Sequence, residues 1–142
     1  MRRWLLPIAL LLVVASASLV MRHFSQERAR QNCEGAYQSA LRSYSEALRP
    51  GMTRKQVEDY LRTKNVKFRQ MCCVDASHRF STNVYDDIAK IGQEDPQWFC
   101  NEKNVYVAFQ FAGPERNPPE PGADASDKLR AISIYRWNEG CL

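Results

Sequence analysis

The 142-residue sequence lacks the short motifs that mark most enzyme active sites. It contains no glycine-rich phosphate loop, no G-x-S-x-G nucleophile motif and no C-x-x-C pair, which excludes the commonest nucleotide-binding, hydrolase and dithiol signatures. Histidine occurs only twice and glycine six times, and no internal repeat is evident. We therefore expect no cofactor and no metal site, and the sequence indicates a structural scaffold more clearly than a catalytic activity.

An excess of charge of one sign is also missing. The sequence has 20 Lys and Arg residues against 16 Asp and Glu residues, and the two signs are interspersed along the chain. Because nucleic-acid binding needs a concentrated basic patch, we expect no nucleic-acid partner. The acidic pairs Asp86-Asp87 and Glu94-Asp95 are expected to face water and not to act as acid and base.

One long apolar run is present, at residues 4–21, and it carries no charge. At ~1.5 Å per helical residue it spans about 27 Å, which is enough for the hydrocarbon core of a bilayer. We therefore interpret residues 1–23 as a transmembrane anchor; the alternative is a signal peptide cleaved after Ala17, which would release a secreted protein. Both interpretations place residues 24–142 outside the cytoplasm, in a periplasm or at the cell surface.

Five cysteines in so short a chain favour an oxidising compartment. Neighbouring side chains of a strand point to opposite faces, so we expect Cys72 and Cys73 to bond to different partners. Two connectivities follow: Cys72–Cys100 with Cys73–Cys141, or Cys72–Cys141 with Cys73–Cys100. Cys33 is left over, as a buried thiol or an intermolecular bridge.

Apolar residues at steps of three and four predict a long helix from Phe24 to Leu48. We expect its apolar stripe to pack on a sheet of the same chain. The residues Tyr37, Ala40 and Tyr44 also fit a seam between two helices, so a homodimer through this stripe is the alternative.

A second helix is predicted after the turn at Pro50-Gly51. Thr53 and Gln56 have the spacing of a capping box, in which each side chain bonds to the backbone N–H of the other residue. Met52 and Val57 occupy the positions of a hydrophobic staple. This short helix has one apolar face, which must pack against another element.

Alternating apolar residues predict three strands, and the remaining segments predict a turn, a short helix and a long connection. The strands are 66–74, 105–111 and 128–137, the hairpin turn is 101–104, the short helix is 83–92 and the mobile connection with four prolines is 112–127. In the second strand the odd-numbered residues should form a buried face. The predicted fold is α+β, with two helices packed on an antiparallel sheet of three or slightly more strands.

The segment from Gly51-Met52-Thr53 to Leu61, with Val57 four residues after the threonine, resembles the start of the BamE (SmpA/OmlA) domain, a family of small outer-membrane-assembly lipoproteins. The resemblance implies two helices on a three-stranded antiparallel sheet, a layout also seen in β-lactamase inhibitor proteins. It also implies binding to other proteins or envelope components. The lipid-bearing cysteine of that family is missing here, and the four later cysteines and the proline-rich connection are additional.

Together these features predict a non-enzymatic, membrane-tethered module that binds another envelope protein or serves envelope maintenance. The expected binding surface is an exposed part of the sheet that includes Tyr106, Tyr135 and Trp137. The alternative is a thiol-based redox or hydrolytic enzyme in which the Cys72-Cys73 pair acts with His78.

Overall fold

The computed structural model describes the backbone of residues 5–72, 84–113 and 122–141, and the side chains of the same ranges from residue 16 onward. The chain divides into two compact units, Met1–Ala36 and Tyr37–Leu142. Helix α1 (Leu5–Ala47) begins in the first unit and ends in the second. The other elements are α2 (Arg54–Thr63), β1 (Arg69–Cys72), β2 (Tyr85–Glu94), β3 (Glu102–Ala112) and β4 (Lys128–Glu139).

The four strands form one antiparallel sheet in the order β1-β2-β3-β4. The α+β class and the packing of two helices on an antiparallel sheet are confirmed, and the sheet has four strands. The added strand is β2, so the short helix predicted at 83–92 is wrong. Ile88 and Ile91 lie three residues apart, so strand alternation places them on opposite faces of the sheet, and this separation imitated a helical stripe.

The connection between β2 and β3 also differs from the prediction. Strand β3 already begins at Glu102, so the turn predicted at 101–104 is wrong, and the actual turn is at Trp98 and Phe99. The segment looks like a turn by composition, but Asn104 pairs with Gln93 of β2 and with Trp137 of β4. Pairing on both sides outweighs the weak strand propensity of asparagine.

One face of the sheet, here called the helix face, holds the main core. The odd-numbered residues of β3 from 105 to 111 are all buried, as predicted. The buried residues of this cluster are Leu48, Val57, Leu61, Val84, Ala89, Val107, Phe109, Phe111 and Leu129. Burying one Leu, Val or Phe side chain contributes about 1.5–3 kcal/mol, so this cluster is the main source of the stability of the second unit.

The end of α1 packs closely on the helix face. The Tyr37 ring covers Gly92, where a Cβ atom would lie 2.5 Å from the ring, and the Tyr44 ring meets Phe109 edge-on at 5.3 Å between centroids. The predicted packing of the α1 stripe on the sheet of its own chain is therefore confirmed. A homodimer through Tyr37, Ala40 and Tyr44 stays a prediction. In such a dimer the two tyrosine rings would contact the second copy as well as the sheet of their own chain.

The corner between the two helices has the predicted capping box. Thr53 Oγ1 accepts a bond of 3.2 Å from the Gln56 N–H, and Gln56 Oε1 accepts one of 2.8 Å from the Thr53 N–H. Gly51 has a φ of 93°, a conformation that favours glycine. The corner also bonds to the start of β4, because the Gly51 N–H donates to Leu129 O and the Leu129 N–H donates to Met52 O, both at 2.8 Å.

The predicted anchor is mostly outside the described side chains. Within residues 16–72, 84–113 and 122–141, no helix is long and apolar enough to cross a membrane. Most of the run at 4–21 lies before residue 16, so the anchor and the cleavage after Ala17 stay predictions. Half of the connection at 112–127 also lies outside the described residues, at 114–121.

Candidate functional site

The three predicted surface residues lie together on the face of the sheet opposite the helices. Tyr106 is paired with Tyr135 across β3 and β4, and the rings of Tyr135 and Trp137 are 5.7 Å apart between centroids. We call Tyr106, Tyr135 and Trp137 the aromatic face. Trp137 is 38 % exposed, whereas Tyr106 is only 5 % exposed. The Tyr106 ring is therefore covered by its neighbours, and Trp137 is the most accessible ring of the aromatic face.

A charged network fixes one side of the aromatic face. Arg69 of β1 donates to the Tyr106 hydroxyl at 3.0 Å and lies 3.1 Å from a carboxylate oxygen of Glu139. The Tyr106 hydroxyl donates to the same oxygen at 2.8 Å, and this bond lowers the pKa of Glu139. Burial raises the pKa of Tyr106. The network connects β1, β3 and β4, whose residues are too far apart in sequence for a local pattern to reveal it.

A second aromatic group lies in the β2–β3 connection. Trp98 is 95 % exposed, and its ring meets Phe99 edge-on at 5.5 Å between centroids. We call Trp98 and Phe99 the aromatic turn. Neither residue belongs to the surface predicted from the sequence. Two adjacent aromatic residues shortly after Asp95-Pro96, separated from it by Gln97, were the available signal, because this dipeptide favours a turn.

The disulfide next to the aromatic turn is Cys100–Cys141, so both predicted connectivities are wrong. The reason is strand register. Glu102 of β3 lies opposite Glu139 of β4. Cys100 lies two residues before Glu102 and Cys141 lies two residues after Glu139, so the two cysteines face each other just beyond the end of the ladder. The bond places the aromatic turn and the end of β4, with Trp137, at the same end of the sheet.

The remaining cysteines bear on the thiol-enzyme alternative. Cys72 is disulfide-bonded, so it offers no thiolate in this state. Cys73 and His78 lie outside the described residues. Cys33 is an exposed free thiol, which overturns its interpretation as a buried one.

Two helices on an antiparallel sheet form a scaffold that by itself implies no function. No family model, curated protein or solved structure matches this chain. Function therefore has to follow from the residues of the site. Among residues 16–72, 84–113 and 122–141, no three His, Cys, Asp or Glu side chains are grouped in a way that could hold a metal ion.

A buried charge cluster lies on the other side of the sheet, below the start of α2. Arg54 is 2 % exposed and lies between two buried carboxylates. Its Nη1 donates to Asp87 Oδ1 at 2.7 Å, and its Nη2 donates to Asp127 Oδ2 at 3.3 Å and to the carbonyl oxygen of Tyr85. The guanidinium stacks on the Phe111 ring at 3.9 Å from the centroid. One cation thus connects α2, β2 and the residue before β4.

The cluster overturns the expectation that Asp86 and Asp87 face water, because both are buried. Asp86 accepts a bond of 3.0 Å from the Phe111 N–H, next to an irregularity in the β3–β4 ladder. Asp87 Oδ2 and Arg54 Nε have no hydrogen-bond partner among the described residues. Burial raises the pKa of Asp87 to about 6, against the opposing effect of Arg54. We interpret the cluster as structural, since its groups are covered on all sides.

The raised pKa of Asp87 predicts that stability falls as pH rises from about 4 to 6. In this range the unfolded chain has released the Asp87 proton and the folded chain still holds it, so deprotonation favours unfolding. A shift from 3.8 to about 6 corresponds to a loss of about 3 kcal/mol at neutral pH. Urea unfolding of wild type and Asp87→Asn at several pH values measures it, because the variant should lack this part of the pH dependence.

Asp95→Asn is the matched control, since Asp95 is an exposed carboxylate just after the same strand. It should keep the wild-type pH dependence. If wild type and Asp87→Asn lose stability in parallel between pH 4 and 6, Asp87 is not the group responsible.

Proposed function

We propose that the second unit is a non-enzymatic protein-binding module whose contact surface is the aromatic face together with the aromatic turn. The observation that carries the proposal is the exposure of large aromatic rings at one end of the sheet: Trp98, Phe99 and Trp137 are all exposed. Clustered exposed apolar surface on a folded domain is typical of interaction sites. Tryptophan in particular is enriched among the residues that contribute most to binding.

The surface is also held in place before any partner arrives. The Arg69–Tyr106–Glu139 network lies beside the aromatic face, and the Cys100–Cys141 bond lies next to the aromatic turn. Groups that are already ordered lose less conformational entropy on binding. This favours a docking role for the aromatic rings over a role as incidental surface residues.

We further propose that the module is tethered to a membrane through residues 4–21 and works outside the cytoplasm, on another envelope protein or in envelope maintenance. The described end of this run supports the proposal, because Leu19, Val20 and Met21 are exposed large apolar residues. A disulfide-bonded domain also fits an oxidising compartment. Secretion after cleavage following Ala17 is the alternative. The resemblance to the BamE domain agrees with an envelope role, although the lipid-bearing cysteine is absent.

The proposal predicts site-specific cross-links to a different protein. A photoreactive amino acid at Trp137 or Trp98 of the full chain, in cells of its host, should give discrete adducts that are heavier than the chain and contain a second protein. Lys55 on α2 is the matched control position, since it is exposed and lies on the other side of the sheet. Immunoblots after irradiation measure the adducts. Their absence at both aromatic positions, or identical adducts from Lys55, contradicts the proposed function.

A further inference from the structure

Strand β4 lies at one edge of the sheet. It is the last strand of the sheet, and among the described residues only the 51–53 corner bonds to its outer side, at Lys128 and Leu129. Residues 131–137 contain no proline and one charged residue, Arg136, which pairs with Glu94 at 2.9 Å. Proteins usually protect such an edge with charges, proline or a covering segment. Here the described residues provide little of this protection.

We infer that the outer edge of β4 pairs antiparallel with β4 of a second copy of this chain. Identical edges related by a two-fold axis form an isologous contact, which closes at two copies. If the axis is perpendicular to the sheet, facing residues must point to the same side. Because side chains alternate along a strand, the axis must pass through a residue and not between two residues.

The side chains of β4 favour Ile134 as that residue. On the aromatic side, Ala131 then faces Trp137 of the second copy, and Ser133 faces Tyr135 of the second copy. Each large ring thus lies beside a small residue, which leaves it room. Ile134 faces its own copy on the helix side, as a β-branched pair of the kind that sheets favour.

The neighbouring axis positions fit less well. An axis through Ser133 would place Arg130 opposite Arg136 of the second copy, and like charges that face each other are destabilising. Because the corner already occupies the outer edge of Leu129, an axis through Ile132 would limit the new ladder to residues 130–134, whereas the Ile134 axis allows a ladder over residues 130–138.

Charge at the ends of β4 agrees with the Ile134 axis. Lys128 and Arg130 form no ion pair with any described residue. The Ile134 axis places Arg130 opposite Asn138 of the second copy and beside Glu139 of the second copy. Arg130 therefore lies near the carboxylate of Glu139 of the second copy, which also pairs with Arg69 of its own chain at 3.1 Å. The pairing makes one eight-stranded sheet with both aromatic faces on the same side, and it does not depend on the partner protein proposed above.

The inference is tested by cysteine cross-linking of the full chain, with Cys33→Ser as the background. Ile134→Cys should form a disulfide-linked dimer under mild oxidation, because the two-fold axis brings the residue next to its own copy. Ile132→Cys alone should not, since its copy lies four residues along the strand, at ~13 Å. Mixing Ile132→Cys chains with Arg136→Cys chains should restore the dimer. Non-reducing gels measure the band, which should disappear with reductant.

A second set of measurements covers the case in which Ile134→Cys does not fold. Mixed Ser133→Cys and Tyr135→Cys chains should cross-link on the aromatic side, and hydrogen exchange of residues 131–137 in wild type should slow as protein concentration rises. The inference is overturned by three outcomes: exchange that does not depend on concentration, equal cross-linking of Ile134→Cys and an exposed Lys55→Cys control, or an Ile134→Cys adduct with a different protein. The last outcome would leave the proposed binding function intact.

Discussion

Replacing Arg54 with methionine is expected to lower the free energy of unfolding by about 3–5 kcal/mol, because it leaves buried carboxylates without their cation. Asp87 and Asp127 both bond to this guanidinium, and all three side chains are buried. Methionine keeps much of the side-chain volume over Phe111, so the loss reports the charge more than the packing. Urea unfolding followed by tryptophan fluorescence at pH 7 measures it.

Lys55→Met is the matched control, one residue along the same helix. Lys55 pairs with Asp59 at 2.9 Å, but both side chains are exposed, and such pairs contribute about 0–1 kcal/mol. Adding Asp87→Leu to Arg54→Met should recover part of the stability, since it removes an unpaired buried charge. If Arg54→Met costs no more than Lys55→Met, the Arg54 guanidinium does not compensate the buried charge of Asp87 and Asp127.

Removal of the Cys100–Cys141 bond should have a comparable effect. The two residues are 41 positions apart, and constraining an unfolded loop of that length is worth about 4 kcal/mol in the chain-entropy treatment. The double variant Cys100→Ser/Cys141→Ser should therefore unfold at a clearly lower urea concentration than wild type. Its aromatic turn should also lose order, which hydrogen exchange of residues 95–101 would show as faster exchange.

Cys33→Ser provides the comparison for this loss, because Cys33 is exposed and unbonded. Its unfolding curve should match that of wild type. A double variant as stable as Cys33→Ser would contradict the assigned role of the Cys100–Cys141 bond.

The features that sequence reasoning predicted well are local ones. The capping box of α2 needs only Thr53 and Gln56, three residues apart. The burial of residues 105, 107, 109 and 111 of β3 on one face follows from the alternation of side chains between the two faces of a strand. In each case the deciding interactions lie within a few residues, so a pattern in the sequence reports them directly.

The features that it missed depend on contacts between distant segments. The Cys100–Cys141 pairing follows from the β3–β4 register, which no spacing between cysteines encodes. Arg54 looks like an ordinary first-turn residue of a surface helix. It is buried because Asp87 and Asp127, 33 and 73 positions later, neutralise it. The identity of strand β2 was hidden by a bulge and by two buried aspartates, which interrupt the apolar alternation that marks most strands.

The wide sequence span of the charge cluster has a consequence for folding during synthesis or export. Helix α2 is made early, but the second carboxylate that balances Arg54 comes 73 residues later. Until Asp127 has emerged, docking α2 would bury an incompletely neutralised cation, which is unfavourable. The corner and α2 are therefore expected to dock on the sheet only when nearly the whole chain is available. Synthesis or export from the N-terminus to the C-terminus then does not trap a partly docked helix.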